Sequence, residues 1–142
     1  MVEADRVSEV VVIHGSFIVS GASSGIGMAI YNRLASRFEP GRTVKIDVKA
    51  TPPTDTRNYA AVDAIVAPAV EGGGVHHLVC SAGVLFIADP TTGRAADFIG
   101  ADPTTLKSMI DINLTGTVNV LHAFLKATQK RREPARVVVG SG

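Results

Sequence analysis

The sequence predicts an α/β fold built on a doubly wound, parallel sheet of about four strands with three main helices. Three observations predict it. Short β-branched runs alternate with longer amphipathic stretches, the pattern of successive βαβ units. A glycine-rich turn, Gly21 to Gly27, stands between the first strand and the first helix. Hydrophobic residues make up 46% and charged residues 19%, which supplies a core and argues against disorder.

Each element follows from local pattern. Phe17-Ile18-Val19, bounded by Gly15 and Gly21, reads as a buried strand. Residues 25–37 read as a helix, with Ile26, Ile30 and Leu34 at four-residue spacing and Ala29 beside them on one apolar face. Pro40-Gly41 ends it. Residues 43–48 form the second strand. Residues 56–70 form the second helix, with Val62, Ile65, Val66 and Ala69 on one side; Pro68 should break or fray its last turn. Gly72-Gly73-Gly74 stops it, and Leu78-Val79-Cys80 is the third strand. Residues 84–101, rich in Gly, Thr and Asp, read as a surface loop.

Asp102-Pro103 is a helix start, an N-cap acceptor followed by proline at the first helical position. That helix should run to about residue 131, carrying Leu106, Met109, Ile110, Leu114, Val118, Leu121 and Leu125 at three- and four-residue steps. Gly116 inside it costs about 1 kcal/mol against alanine, which suggests close approach of another backbone or a cofactor. Residues 136–139 are the fourth strand. Right-handed crossovers then give the doubly wound sheet.

Bulk properties exclude several function classes. The 142 residues suggest one domain, and a net charge of +1 favours neither nucleic acid nor an anionic membrane surface. Lys130-Arg131-Arg132 ends a helix, where cations complement the dipole. Cys80 is the single cysteine, so an internal disulfide is impossible and a cysteine-based metal site is not expected; a reduced, cytoplasmic setting fits. The apolar run from Val10 to Ile13 is too short for a signal peptide or a membrane span. His76 and His77, adjacent on a strand, point to opposite faces and cannot chelate together. His14 and His122 are isolated, His122 reading as a partly buried or interface residue. No metal is expected.

The chemistry sits in Ser20-Gly21-Ala22-Ser23-Ser24-Gly25-Ile26-Gly27. A turn opening a helix leaves backbone N–H groups unpaired and pointing outward, and the helix dipole adds positive potential. Together these make a phosphate site, with glycines allowing positive φ and close approach of a pyrophosphate. No Lys-Ser or Lys-Thr follows Gly27, which excludes the P-loop of nucleotide triphosphatases. Asp47 lies 20 residues after Gly27, the distance at which a carboxylate accepts hydrogen bonds from an adenosine ribose and repels a 2′-phosphate. With no Arg or Lys in the turn, the pattern favours NAD over NADP. The competing readings are a purely structural turn and a solvated strand-end carboxylate.

These residues resemble the short-chain dehydrogenase/reductase family. Its G-x-x-x-G-x-G spacing is met by Gly21, Gly25 and Gly27, with Ser20 in the place of the usual threonine. Its N-N-A-G motif corresponds to Cys80-Ser81-Ala82-Gly83, with both asparagines changed. Its N-x-x-G in the next long helix corresponds to Asn113-Leu114-Thr115-Gly116, and its catalytic serine to Ser141 after Val137-Val138-Val139-Gly140. The likeness covers residues 16–142 and is nearest to compact members of the 3α-hydroxysteroid dehydrogenase/carbonyl reductase type.

The resemblance implies a Rossmann-type domain over residues 1–142 that lacks the C-terminal part of the family fold. Seven residues, Pro52-Pro53 among them, separate Asp47 from Asp55. A parallel neighbour needs a crossover of about a dozen residues, so the family's third helix and third strand are expected to be missing or vestigial. Asp55 and Asp63 are then candidates for the family's adenine contact. The implied cofactor-binding residues are Gly21, Ser23, Ser24, Gly25, Ile26, Gly27, Asp47, Cys80, Ser81, Ala82 and Gly83. Ser141 would polarise a substrate carbonyl and Asn113 would hold a proton-relay water.

The family's Tyr-x-x-x-Lys is absent: Tyr31 is followed at the fourth place by Ala35, and Tyr59 by Asp63. Without that tyrosine no group of suitable pKa donates the proton, and the expectation is a C-terminally truncated member without turnover on its own. Exposed apolar surface and an open edge at the last strand should follow. The implied function is NAD-dependent hydride transfer with a secondary alcohol or ketone, a steroid among the candidates; a non-catalytic NAD-binding or dimerising module is the alternative. Expected partners are the alcohol or ketone and a second copy docked through residues 102–131, with no nucleic acid and no membrane.

Overall fold

The chain forms a four-stranded sheet in the order β2-β1-β3-β4, every pair parallel. It is seen in a computed structural model that describes residues 16–72, 74–84, 99–131 and 134–140. The strands are β1 (Ser16–Ser20), β2 (Thr43–Ile46), β3 (Val75–Cys80) and β4 (Arg136–Val139). The helices are α1 (Gly25–Ala35), α2 (Tyr59–Glu71), α3 (Pro103–Ile110) and α4 (Gly116–Arg131), with a wide π-type turn, Asp111–Thr115, joining the last two. The expected Rossmann-type sheet is present, and residues 47–58 run from β2 to α2 with neither strand nor helix between them.

One sheet face is sealed by α2 and α4. Ile18, Ile46, Leu78 and Cys80 pack there against Val62, Val66, Val70, Val120, Ala123, Phe124 and Ala127. All are buried, and Phe124 is the largest side chain fully removed from water, so this layer supplies most of the hydrophobic stabilisation. On the opposite face Phe17 meets Phe38 at 4.9 Å and His77 at 4.7 Å between ring centroids. Helix α1 lies against β1 and β2 on this side. As expected, apolar surface is left open at the edge: Val137, Val138 and Val139 of β4 are all exposed.

Several boundaries depart from the sequence expectation. β3 begins at Val75, three residues early, because parallel pairing to β1 extends through His77 and Val75. α1 turns its Gly27, Ile30, Tyr31 and Leu34 side inward, whereas Ala29 is exposed and Ile26 is 66% exposed. The expected stripe therefore holds at residues 30 and 34 and not at residue 26. Pro68 does not break α2. The helix continues to Glu71, and the Pro68 carbonyl accepts from Gly72 N at 2.9 Å; proline forfeits its own N–H but still offers an acceptor.

The long helix starts as expected, with the Asp102 carboxylate accepting from Thr104 N at 3.2 Å. It is then interrupted by the π-type turn around Asn113, a widening that shifts the register of everything after it. Lys130 pairs with Glu71 at 2.7 Å and Arg131 donates to the Val70 carbonyl at 2.8 Å, so the basic cluster closes the C-terminus of α2. Arg132, His14, Gly15, Gly73, residues 10–13 and most of the 84–101 loop lie outside the described residues. Among the described residues, no helix is long and apolar enough to cross a membrane and no group of three His, Cys, Asp or Glu could hold a metal.

Candidate functional site

The C-terminal ends of β1, β2 and β3 converge on the glycine turn, at the edge where doubly wound sheets bind ligands. The sheet ladder continues past the strands: Gly21 N donates to the Ile46 carbonyl at 2.9 Å and Ser81 N to the Ser20 carbonyl at 3.2 Å. The Ser20 hydroxyl, itself buried, accepts from Ser81 N at 3.3 Å and Ala82 N at 3.4 Å. A serine in the threonine position thus stitches the first loop to the 81–84 segment.

Glycine is required at two points of the turn. Gly21 has φ +71°, and a Cβ there would stand 2.6 Å from Ala82 Cα. A Cβ at Gly27 would run into the Gly21 carbonyl and lie 3.3 Å from Ser81 Cβ. These two glycines let α1, β1 and the 81–83 backbone approach one another. Gly25 differs: its φ is +52° with open space where a Cβ would be, so its surface is free for a ligand. Ser24, the N-cap residue of α1, uses an extended backbone and no side-chain cap, and the helix begins exposed. Its first-turn N–H groups therefore have no side-chain acceptor from the cap.

Asp47 stands at the mouth of this turn. Its Oδ2 accepts from Ser23 N at 3.1 Å and its Oδ1 from Lys49 N at 2.8 Å. Its own carbonyl accepts from Ala50 N at 3.1 Å and Thr54 N at 2.9 Å. The carboxylate is thus fixed on both sides and remains half-buried, with lone pairs left for further donors.

The wall opposite is residues 80–84. Cys80 is buried and its thiol is pushed up to about 11, by burial first, with the Ser20 hydrogen bond opposing. It is an unreactive filler rather than a nucleophile. Asn113 pairs with the Val84 backbone in both directions, Nδ2 donating to its carbonyl and Oδ1 accepting from its N–H, each at 2.7 Å. The carboxamide assigned by resemblance to a relay water is thus engaged by protein. The Asn113 carbonyl accepts from the Thr117 hydroxyl at 2.7 Å. Ser141 lies outside the described residues.

The two adenine candidates each pair with a basic side chain. Asp55 grips Arg57 through both oxygens, with a closest contact of 2.6 Å, and that side-chain hydrogen bond holds its pKa below the ordinary carboxylate value. Asp63 pairs with Lys126 at 3.6 Å. Gly116 does accommodate a close approach, but of the Thr56 side chain. His122 is exposed, and its Nδ1 lies 3.0 Å from the Tyr59 hydroxyl. Asn119, which no sequence motif singles out, donates to the Thr56 and Arg57 carbonyls at 3.0 and 3.1 Å. Its partners are backbone atoms some sixty positions away, so no local signal could have revealed it.

The glycine cradle, uncapped helix start and adjacent carboxylate form a donor and acceptor set that fits a dinucleotide. Comparison with known proteins agrees with that shape. The sequence profile described as short chain dehydrogenase matches residues 39–142. Human 17-beta-hydroxysteroid dehydrogenase type 1 is 33% identical over 86% of this chain and 41% of its own length. A 3-dehydrosphinganine reductase of Arabidopsis thaliana is 31% identical over 84% of this chain and 38% of its own. The chain thus spans about two fifths of the length of these relatives. The ligand-free aldohexose dehydrogenase of Thermoplasma acidophilum is similar in fold, with a TM-score of 0.67 at 22% identity over 88% of this chain and 48% of that one.

Proposed function

The chain belongs to the short chain dehydrogenase family, and from that premise we propose that it forms the NAD-binding part of an oxidoreductase interconverting a secondary alcohol and a ketone. The observation that carries the reading is the Asp47 carboxylate, clamped by Ser23 N and Lys49 N beside the Gly21–Gly27 turn. The first-turn amides of α1, at Gly25, Ile26 and Gly27, hold the pyrophosphate, with the exposed Ser24 hydroxyl beside them. Asp47 accepts from the ribose hydroxyls and repels a 2′-phosphate, which favours NAD over NADP. Cys80, Ser81, Ala82 and Gly83 wall the dinucleotide on the β3 side. Bound there, the nicotinamide supplies the hydride donor or acceptor.

Asn113 acts by holding Val84 and thereby the 81–84 wall, while Ser141, by its place after β4, is assigned to the substrate oxygen. The relatives are named as a hydroxysteroid dehydrogenase and a 3-dehydrosphinganine reductase, and a steroid is among the candidate substrates. The exposed line Ile110, Leu114, Val118 and Leu125 favours a second reading as an NAD-binding or dimerising module. The setting proposed is cytoplasmic, with small molecules and a second copy as partners. Titrating NADH and NADPH against the protein tests the first claim: tighter binding of NADH is expected, and equal or no binding overturns it. Adding secondary alcohols with NAD and following NADH absorbance separates enzyme from module.

A further inference from the structure

Helix α4 touches the segment between β2 and α2 at two successive turns. At Gly116 the missing side chain leaves room for Thr56, which is 7% exposed. One turn on, the Asn119 carboxamide spends both N–H donors on the consecutive carbonyls of Thr56 and Arg57. Those carbonyls lie just before Asn58, whose side chain caps α2 by accepting from Ala61 N at 3.2 Å.

From Thr56 the backbone leads back to the site. Thr54, 1% exposed, donates its N–H to the Asp47 carbonyl at 2.9 Å, and its hydroxyl donates to the Pro52 carbonyl at 3.2 Å. Asp47 then holds Ser23 N through its side chain. The run from Asn119 to Ser23 is made of hydrogen bonds and a short length of backbone, with buried threonines on it. Helix α4 thus anchors the far end of the segment whose near end carries the Asp47 carboxylate.

We infer that Asn119 is a positioning residue for Asp47: by fixing residues 54–57 against α4 it sets where that carboxylate stands relative to the glycine turn, and so tunes the adenosine side of the site. The ligand half of this statement rests on Asp47 being the ribose acceptor. The mechanical half does not, since it concerns only protein hydrogen bonds.

The substitution N119D keeps the shape, removes both donors and sets a carboxylate against two carbonyl oxygens. N119A removes the contact without the repulsion. Amide hydrogen exchange of the protein without ligand is the first readout. Exchange at Ser23, Lys49 and Thr54 should quicken about tenfold in N119D and less in N119A, while Ile18 and Leu78 stay protected. The second readout is titration with NADH, AMP and nicotinamide mononucleotide. NADH and AMP should bind about tenfold more weakly to N119D, with the mononucleotide unchanged. The N119D defect should shrink as pH falls, because a protonated carboxyl regains one donor.

Unchanged exchange at Ser23 and Lys49 in N119D overturns the inference whatever the nucleotides do. So does equal loss of protection at Ile18 and Leu78, which would make Asn119 a residue of general stability. If N119D does not fold, N119A decides by the same two criteria. Quickened local exchange with no nucleotide bound by the unsubstituted protein upholds the positioning and removes the ribose role from Asp47.

Discussion

Asp47 Oδ2 lies 3.1 Å from the backbone nitrogen of Ser23, so the end of β2 holds the turn that opens α1. The contact uses up the Ser23 N–H, which leaves the amides further along, from Ser24 onward, to hold an anion at this turn. It also orients the carboxylate before a ligand arrives, which removes an ordering cost from binding.

Replacing Asp47 with alanine should weaken NADH binding about tenfold or more, since charge-assisted hydrogen bonds contribute about 1.5–3 kcal/mol each. NADPH should bind the D47A protein nearly as well as NADH. Parallel calorimetric titrations of both nucleotides check this; retained discrimination would remove Asp47 from the specificity determinants.

The glycines should separate stability from binding. Gly21→Ala combines a positive φ with a clash against Ala82, and should cost about 2–5 kcal/mol from left-handed strain and overpacking together. Gly25→Ala meets open space, so its cost should be about 1–2 kcal/mol of strain while its methyl group intrudes on the phosphate site. Thermal unfolding should rank G21A below G25A, and NADH affinity should fall in G25A at temperatures where it is fully folded.

The exposed line Ile110, Leu114, Val118 and Leu125 should mediate pairing of two copies. Leu114→Glu combined with Val118→Lys puts charge on that face and should shift the sedimentation coefficient toward a monomer. An unchanged oligomer in the double variant would move the interface elsewhere, and the open β4 edge would be examined next.

His77 stacks on Phe17 and its pKa is lowered from 6.5, by burial first and by the nearby Arg136 and His76 second. The unfolded chain binds the proton more readily than the folded one, so stability is full above 6.5 and declines as pH falls through and below that value. His77→Gln should flatten this part of the profile in urea unfolding at stepped pH. The effect should be small, because the ring is only partly buried.

Much of this architecture is legible in the residues. The run Phe17-Ile18-Val19 followed by spaced glycines can hardly be anything but a buried strand entering a helix, and Asp102-Pro103 marks a helix start that the structure places at the same residue. What sequence hides is decided by distant contacts. The π-type turn at Asp111–Thr115 coincides with Asn113 reaching Val84 and Gly116 meeting Thr56, partners far away along the chain. Ile26 fits a helical stripe by spacing yet is exposed, because periodicity does not tell which residues of the stripe find a partner. Asp47 was legible because its distance from Gly27 is dictated by one strand–helix–strand unit. Asn119 was not, because a carboxamide that binds backbone leaves no trace in the identity of its partners.

The sealed sulfur of Cys80 has a practical side. A thiol held near 11 carries almost no thiolate at neutral pH, and it is the chain's single cysteine. A second cysteine placed at an exposed position such as Ser24 would therefore react alone. A fluorophore or spin label could then be set at the lip of the glycine turn without first removing the native residue.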